Sequence, residues 1–250
     1  MSADEYLHGL LAKYAVNKAG AKAAGNLIYP VLEKWSNGYL NKAEFSGSLA
    51  KGTGISISTD ADIFLSLTST TPGTLVDMYS SLYNAVTEAG YVCKKQDVSI
   101  GVSVNGYSID LVPGRRQSQY GNDHSLYRNR ASTWTQTNVE THISYVVGSA
   151  RIDEIRLLKL WRTRHGLTFP SFYLELAVID GLHYARHGNT AGNVWGVLEH
   201  LRDNIETTRY VDPANTNNVV SQSCTQTEKA AIAAMARASL GKKTWQEIVW

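Results

Sequence analysis

The segment Phe45-Ser-Gly-Ser-Leu-Ala-Lys-Gly-Thr-Gly54, continued by Ile55-Ser-Ile-Ser-Thr and then Asp60-Ala-Asp-Ile-Phe-Leu-Ser-Leu67, constrains this chain more than any other. It is a glycine-serine turn followed by a strand that opens on two carboxylates. Residues two apart in a strand share a face, so Asp60 and Asp62 are expected to point together while Ala61, Ile63, Leu65 and Leu67 enter a core. Two unit charges ~4 Å apart repel by roughly 4 kcal/mol at an effective dielectric of about 20, and a hard divalent ion relieves that repulsion. A third carboxylate, Asp110, lies in the alternating run Tyr107-Ser-Ile-Asp-Leu-Val-Pro113, opposite Ile109 and Leu111. Three strand carboxylates can hold two Mg²⁺ ions, with Mn²⁺ as a substitute, and such a pair suits nucleotidyl transfer.

Gly47 and Ser48 let backbone amides and a hydroxyl approach a phosphate closely. A Walker loop needs Gly-Lys-Ser/Thr, whereas here Lys51 precedes Gly52 and Thr53 follows it, so that reading fails on residue order.

The rest of the chain must supply the core. With 250 residues, 43% of them hydrophobic, disordered and disulfide-scaffold classes are excluded. A formal charge of +2 gives no chain-wide attraction for polyanions, so any basic site is local. Cys93 and Cys224 are too few for a disulfide framework or a four-ligand zinc site. Without a signal-like start or ~18 uninterrupted apolar residues, the expectation is a cytoplasmic protein that uses no membrane.

Apolar residues at helical spacing over 5–35 predict one long or broken opening helix, and those over 74–89 a second. Short strand-like runs fill the remainder of 43–112. The polar stretch 114–138, with Arg115, Arg116, Arg128 and Arg130 among Tyr120, Tyr127 and Trp134, reads as a long functional loop that could contact an acceptor strand. Helices are expected over 151–164, 171–186, 193–207 and 227–240. The predicted fold is α/β: a mixed-sheet lobe, residues 1–145, and an all-helical lobe, 146–250, with a nucleotide between them. His183 and His187 stand four apart but lack the glutamate of a zinc protease helix.

Gly47-Ser48-x-x-Lys51-Gly52-Thr53, Asp60-x-Asp62 and Asp110 together resemble the active-site signature of the polymerase-β-like nucleotidyltransferases. Within that superfamily they are similar to the 2′-5′-oligoadenylate synthetases, cyclic GMP-AMP synthase, the bacterial CD-NTases of anti-phage systems and the archaeal CCA-adding enzymes. Ile155-Arg-Leu-Leu-Lys-Leu-Trp161, Pro170-Ser-Phe-Tyr-Leu-Glu-Leu176 and Val211-Asp-Pro-Ala-Asn-Thr-Asn-Asn-Val219 resemble the oligoadenylate-synthetase side.

The resemblance implies a Mg²⁺-dependent enzyme with Asp60, Asp62 and Asp110 as catalytic metal ligands. It adds Gly47, Ser48, Lys51 and Thr53 around the nucleotide, Lys159 and Ser171 on its phosphates, and Phe172 or Tyr173 against a base. ATP is the expected donor, and the product a linear or cyclic oligonucleotide signal, with a role in anti-phage defence. The alternatives are template-independent extension of an RNA or tRNA 3′ end, with RNA as acceptor or activator, and a non-catalytic nucleotide- or RNA-binding module.

Overall fold

The computed structural model describes residues 2–58 and 60–250. The chain divides into two compact units, Asn17–Lys51 with Thr59–Ile143, and Met1–Val16 with Gly52–Ser58 and Ser144–Trp250. They are called the sheet unit and the helical unit below. The division is not a single cut near residue 145: the first 16 residues and the segment after Lys51 go with the C-terminal helices.

The opening helix accordingly comes as two. Helix α1 (Ala3–Lys13) starts at a capping box in which Ser2 and Glu5 satisfy each other's amides, and it buries Leu7, Leu10 and Leu11 in the helical unit. Helix α2 (Lys18–Ser36), capped by Asn17 through Gly20 N at 3.0 Å, belongs to the sheet unit. Its buried stripe Ala21, Ala24, Ile28 and Leu32 recurs at three and four residues.

The sheet unit has seven strands: β1 (Leu40–Phe45), β2 (Ala61–Leu67), β3 (Cys93–Lys95), β4 (Ile100–Val104), β5 (Tyr107–Arg116), β6 (His124–Arg128) and β7 (Thr133–Thr137). Their order is β1-β2-β5-β4-β3, with β6 and then β7 continuing from the end of β5. Strand β2 runs parallel to β5 and antiparallel to β1. Helix α3 (Gly47–Lys51) follows β1, and α4 (Leu75–Glu88), closed by the Thr74/Asp77 capping box, packs with α2 against the sheet.

The expected loop 114–138 is therefore mostly strand. His124 and Leu126 alternate inward, Tyr127 pairs across to Trp134, and β6–β7 forms a hairpin whose polar outer residues hide the period-2 signal. Three of its four arginines are occupied. Arg115 donates to the Thr71 and Gly73 carbonyls, Arg116 to that of Gly121, and Arg128 pairs with Asp97 at 3.3 Å.

Helix α5 (Val139–Gly148), which the sequence pattern does not announce, carries the chain from one unit to the other. In the helical unit follow α6 (Ile152–Arg164), α7 (Ser171–Gly181), α8 (Thr190–Asn204), α9 (Gln226–Leu240) and the short α10 (Trp245–Ile248). Strands β8 (Val211–Asp212) and β9 (Asn215–Val219) make a small hairpin between α8 and α9. Its turn is held by Asp212, which accepts from Ala214 N at 2.8 Å and Asn218 Nδ2 at 3.0 Å. Trp161 and Tyr173 centre the core of this unit. Helix α7 stops at Gly181, five residues short of the expected Arg186, so His183 and His187 share no helical face. Among the described residues no helix is long and apolar enough to cross a membrane.

Candidate active site

Strand β2 begins at Ala61, one residue later than expected, so Asp60 lies ahead of the ladder with its side chain exposed. Asp62 and Asp110 are direct partners across the parallel β2/β5 pair, an arrangement that sets their Cα atoms ~4.8 Å apart. The opposite face is as expected, with Ala61, Ile63, Leu65 and Leu67 buried and α2 packed against this strand.

The Gly47–Lys51 turn is built around Asp62. Ser46 N donates to the Asp62 carbonyl at 2.8 Å, and the Ser48 amide donates to its carboxylate. Gly47 sits at φ +54°, and a Cβ there would lie 1.8 Å from Asp62 Oδ2. No side chain fits in that place. Gly47→Ala is expected to push the carboxylate off its position and reduce turnover by at least tenfold, measured with the melting temperature to separate site damage from unfolding. Unchanged turnover would refute this close packing.

Burial, then the charges of Asp110 and Asp60, push Asp62 up to about 6; Lys51 and the Ser48 amide pull the other way. Asp110 is raised too, first by burial and then by Asp60, against hydrogen bonds from Gln96 and Ser99. The Gln96 Nε2 to Asp110 Oδ1 bond of 2.8 Å fixes that carboxylate. Gln96 sits between β3 and β4, and nothing in its sequence neighbourhood marks it as a site residue.

Beside Asp62 opens a cavity of ≈ 130 Å³ lined by Ser46, Lys51, Phe64, Thr137 and His142 among others. Lys51 is 8% exposed and turned into this region. Among the described residues no three carboxylate, imidazole or thiol groups stand as a closed metal cluster. The donor set nonetheless fits a hard cation: all oxygen, with carboxylates whose proximity raises their proton affinity.

His124 is 5% exposed and bonded to Ser66 Oγ and the Asn122 carbonyl, both at 2.8 Å. It supports the sheet.

No protein-family model and no curated protein matches the chain. Solved structures do match. *E. coli* MS115-1 CdnC with ATP is 19% identical with a TM-score of 0.76, over 99% of this chain and 97% of that one. The chain has the CD-NTase fold. The *Bradyrhizobium diazoefficiens* CD-NTase CdnG in complex with GTP is 13% identical over 96% and 91% of the two chains, at a TM-score of 0.73. *Elizabethkingia meningoseptica* CdnE, a cyclic dinucleotide synthase with GTP and Apcpp, is 16% identical over 87% and 92%, at 0.62.

In this CD-NTase fold the remaining residues singled out by sequence lie in the helical unit. Thr53, wholly buried, donates to Glu175 Oε1 at 2.8 Å and accepts from Lys159 Nζ at 2.9 Å. Lys159, 3% exposed, is ion-paired with Glu175 at 2.7 Å. Both are thus committed to an internal polar cluster, where the resemblance puts them on a nucleotide. Ser171 is exposed at the first position of α7 and accepts from Arg162 at 3.2 Å. Tyr173 is fully buried, its hydroxyl on the Ile205 carbonyl at 3.1 Å, so only the half-buried Phe172 could stack on a base. Burial depresses Arg162, and the Glu175 charge partly offsets this.

Proposed function

We propose that the chain is a metal-dependent nucleotidyltransferase that joins the nucleoside monophosphate of an NTP, with ATP as the expected donor, to a hydroxyl of another nucleotide. One observation carries this reading: Asp62 and Asp110, in register on neighbouring strands, under a turn that leaves no room for a side chain at Gly47. The likeness to CdnC with ATP, CdnG with GTP and a cyclic dinucleotide synthase supports a linear or cyclic oligonucleotide product. A cytoplasmic setting and a defence role accompany the proposal.

Asp62 and Asp110, with Asp60, would hold two Mg²⁺ or Mn²⁺ ions, which when bound neutralise developing phosphate charge and acidify the attacking hydroxyl. Gln96 orients Asp110, which would position the acceptor hydroxyl and help take up its proton. The acceptor oxygen bonds to the α-phosphorus as the bond to the bridging oxygen breaks, and pyrophosphate leaves. The Ser48 amide holds Asp62 in place, which leaves the Ser48 hydroxyl for the phosphates.

Incubation with each labelled NTP and Mg²⁺, with and without RNA, tests this. Pyrophosphate and a new oligonucleotide are expected without RNA. Product only on an added RNA end would favour 3′-end extension, and no product under either condition would leave a nucleotide-binding module.

A further inference from the structure

Leu67, at the end of β2, points to the face of the sheet opposite Asp62, and there it borders an opening that the proposed reaction does not use. Where α2 ends and α4 begins, a cavity of ≈ 210 Å³ is floored by Leu67 and Met78, 1% and 5% exposed, and walled by Trp35 and Tyr39. All of its lining belongs to the sheet unit. Trp35 Nε1 donates to Ser81 Oγ at 3.1 Å, which ties the indole of α2 to α4 and fixes that wall.

Three hydroxyls around the cavity are spent: Ser36, Thr71 and Ser81 donate to the carbonyls of Glu33, Thr68 and Met78. Three other groups are not. The Asn37 side-chain amide, the Tyr39 hydroxyl and Asp77 Oδ1 have no hydrogen bond among the described residues, while Asp77 Oδ2 closes the α4 capping box with the Thr74 hydroxyl and amide at 2.6 and 2.9 Å. Those two bonds, the hydroxyl's first, hold Asp77 below the ordinary carboxylate range, so Oδ1 is an anionic acceptor. Among the described residues no basic side chain lines the cavity; Arg115, bonded to the Thr71 and Gly73 carbonyls, is not part of its wall. A phosphate therefore finds no partner here. Aromatic walls with an amide and a carboxylate suit a flat heterocycle that carries N–H donors and a carbonyl. Guanine has that edge, its N1–H and amino group side by side with O6, whereas adenine turns the lone pair of N1 towards the same carboxylate.

We propose that this cavity binds a guanine-type base, with Trp35 and Tyr39 along its plane, Asp77 Oδ1 accepting from its N–H edge and the Asn37 amide donating to its carbonyl. The site is separate from the acidic pair on the other face of β2 and does not depend on the transferase reading of that pair.

The test is a calorimetric titration of the full chain with guanosine and with adenosine, without divalent ions or triphosphates, so that catalysis plays no part. Guanosine should bind, and adenosine at least tenfold more weakly. Asp77→Asn and Asn37→Gly should each weaken guanosine at least tenfold. The second is the milder change, because Asn37 sits at φ +48°, where glycine is unstrained, and only the side-chain amide is lost. It decides the outcome if Asp77→Asn lowers the melting temperature by loosening the α4 cap. Asp62→Asn should bind guanosine as the parent does, which separates this cavity from the acidic site. No guanosine binding by the parent would overturn the site, as would parent-like affinity in Asn37→Gly, an equal loss in Asp62→Asn, or adenosine binding as tightly as guanosine. Asn37-dependent guanosine binding in a chain that makes nothing from NTPs would uphold the site and remove the proposed function.

Discussion

Asp62→Asn is expected to reduce nucleotide transfer by about 10³-fold, a loss on the order of 4 kcal/mol of transition-state stabilisation. The substitution keeps the shape that fills the space against Gly47 and removes only the charge. A second readout follows from the proton affinity of Asp62. Its folded value of about 6 lies above the ordinary 3.8, so the folded form favours the protonated acid. The resulting stability is fully present below about pH 4 and is lost as pH rises through about 6, a difference on the order of 3 kcal/mol in ion-free protein. Asp110 is shifted in the same direction and adds to the slope. In Asp62→Asn the slope should flatten, and Mg²⁺ at neutral pH should raise the melting temperature of the parent but not of the variant. Turnover within tenfold of the parent, or an unchanged pH slope, would refute the role given to this carboxylate.

Glu175→Ala should be the most damaging change to stability. It leaves the Lys159 ammonium and the Thr53 hydroxyl, 3% and 0% exposed, without the carboxylate oxygen that both contact. Removing one member of a buried pair costs about 3–5 kcal/mol, whereas replacing both members with apolar groups costs much less. Urea unfolding of Glu175→Ala and of the double variant Glu175→Leu/Lys159→Met should show that contrast. A loss below about 1 kcal/mol in the single variant would mean that the cluster is wetter or looser than its geometry indicates.

The acidic site was legible because its signals are local. A two-residue period puts a carboxylate and its aliphatic neighbours on opposite faces whatever the tertiary fold, and a glycine in the turn beside the strand permits a close backbone approach. Lys159 shows where such reasoning stops. A lysine on a helix reads as solvated or substrate-facing, and its partners Thr53 and Glu175 lie 106 and 16 residues away along the chain. Long-range pairing leaves no trace in spacing. The β6–β7 hairpin was missed for another reason: an edge hairpin needs few apolar residues, so its composition imitates a loop.

Helix α1 docks onto segments 187 and 243 residues further along the chain. Asp4 accepts the Ala191 amide at 2.7 Å, and the Tyr6 hydroxyl reaches the Val249 carbonyl at 2.9 Å. At ~5–20 residues per second, a ribosome would expose this amphipathic segment tens of seconds before its docking surfaces exist. During synthesis, Leu7, Leu10 and Leu11 must therefore stay bare or be sheltered by a chaperone, and the helical unit can close only after those later segments have been made.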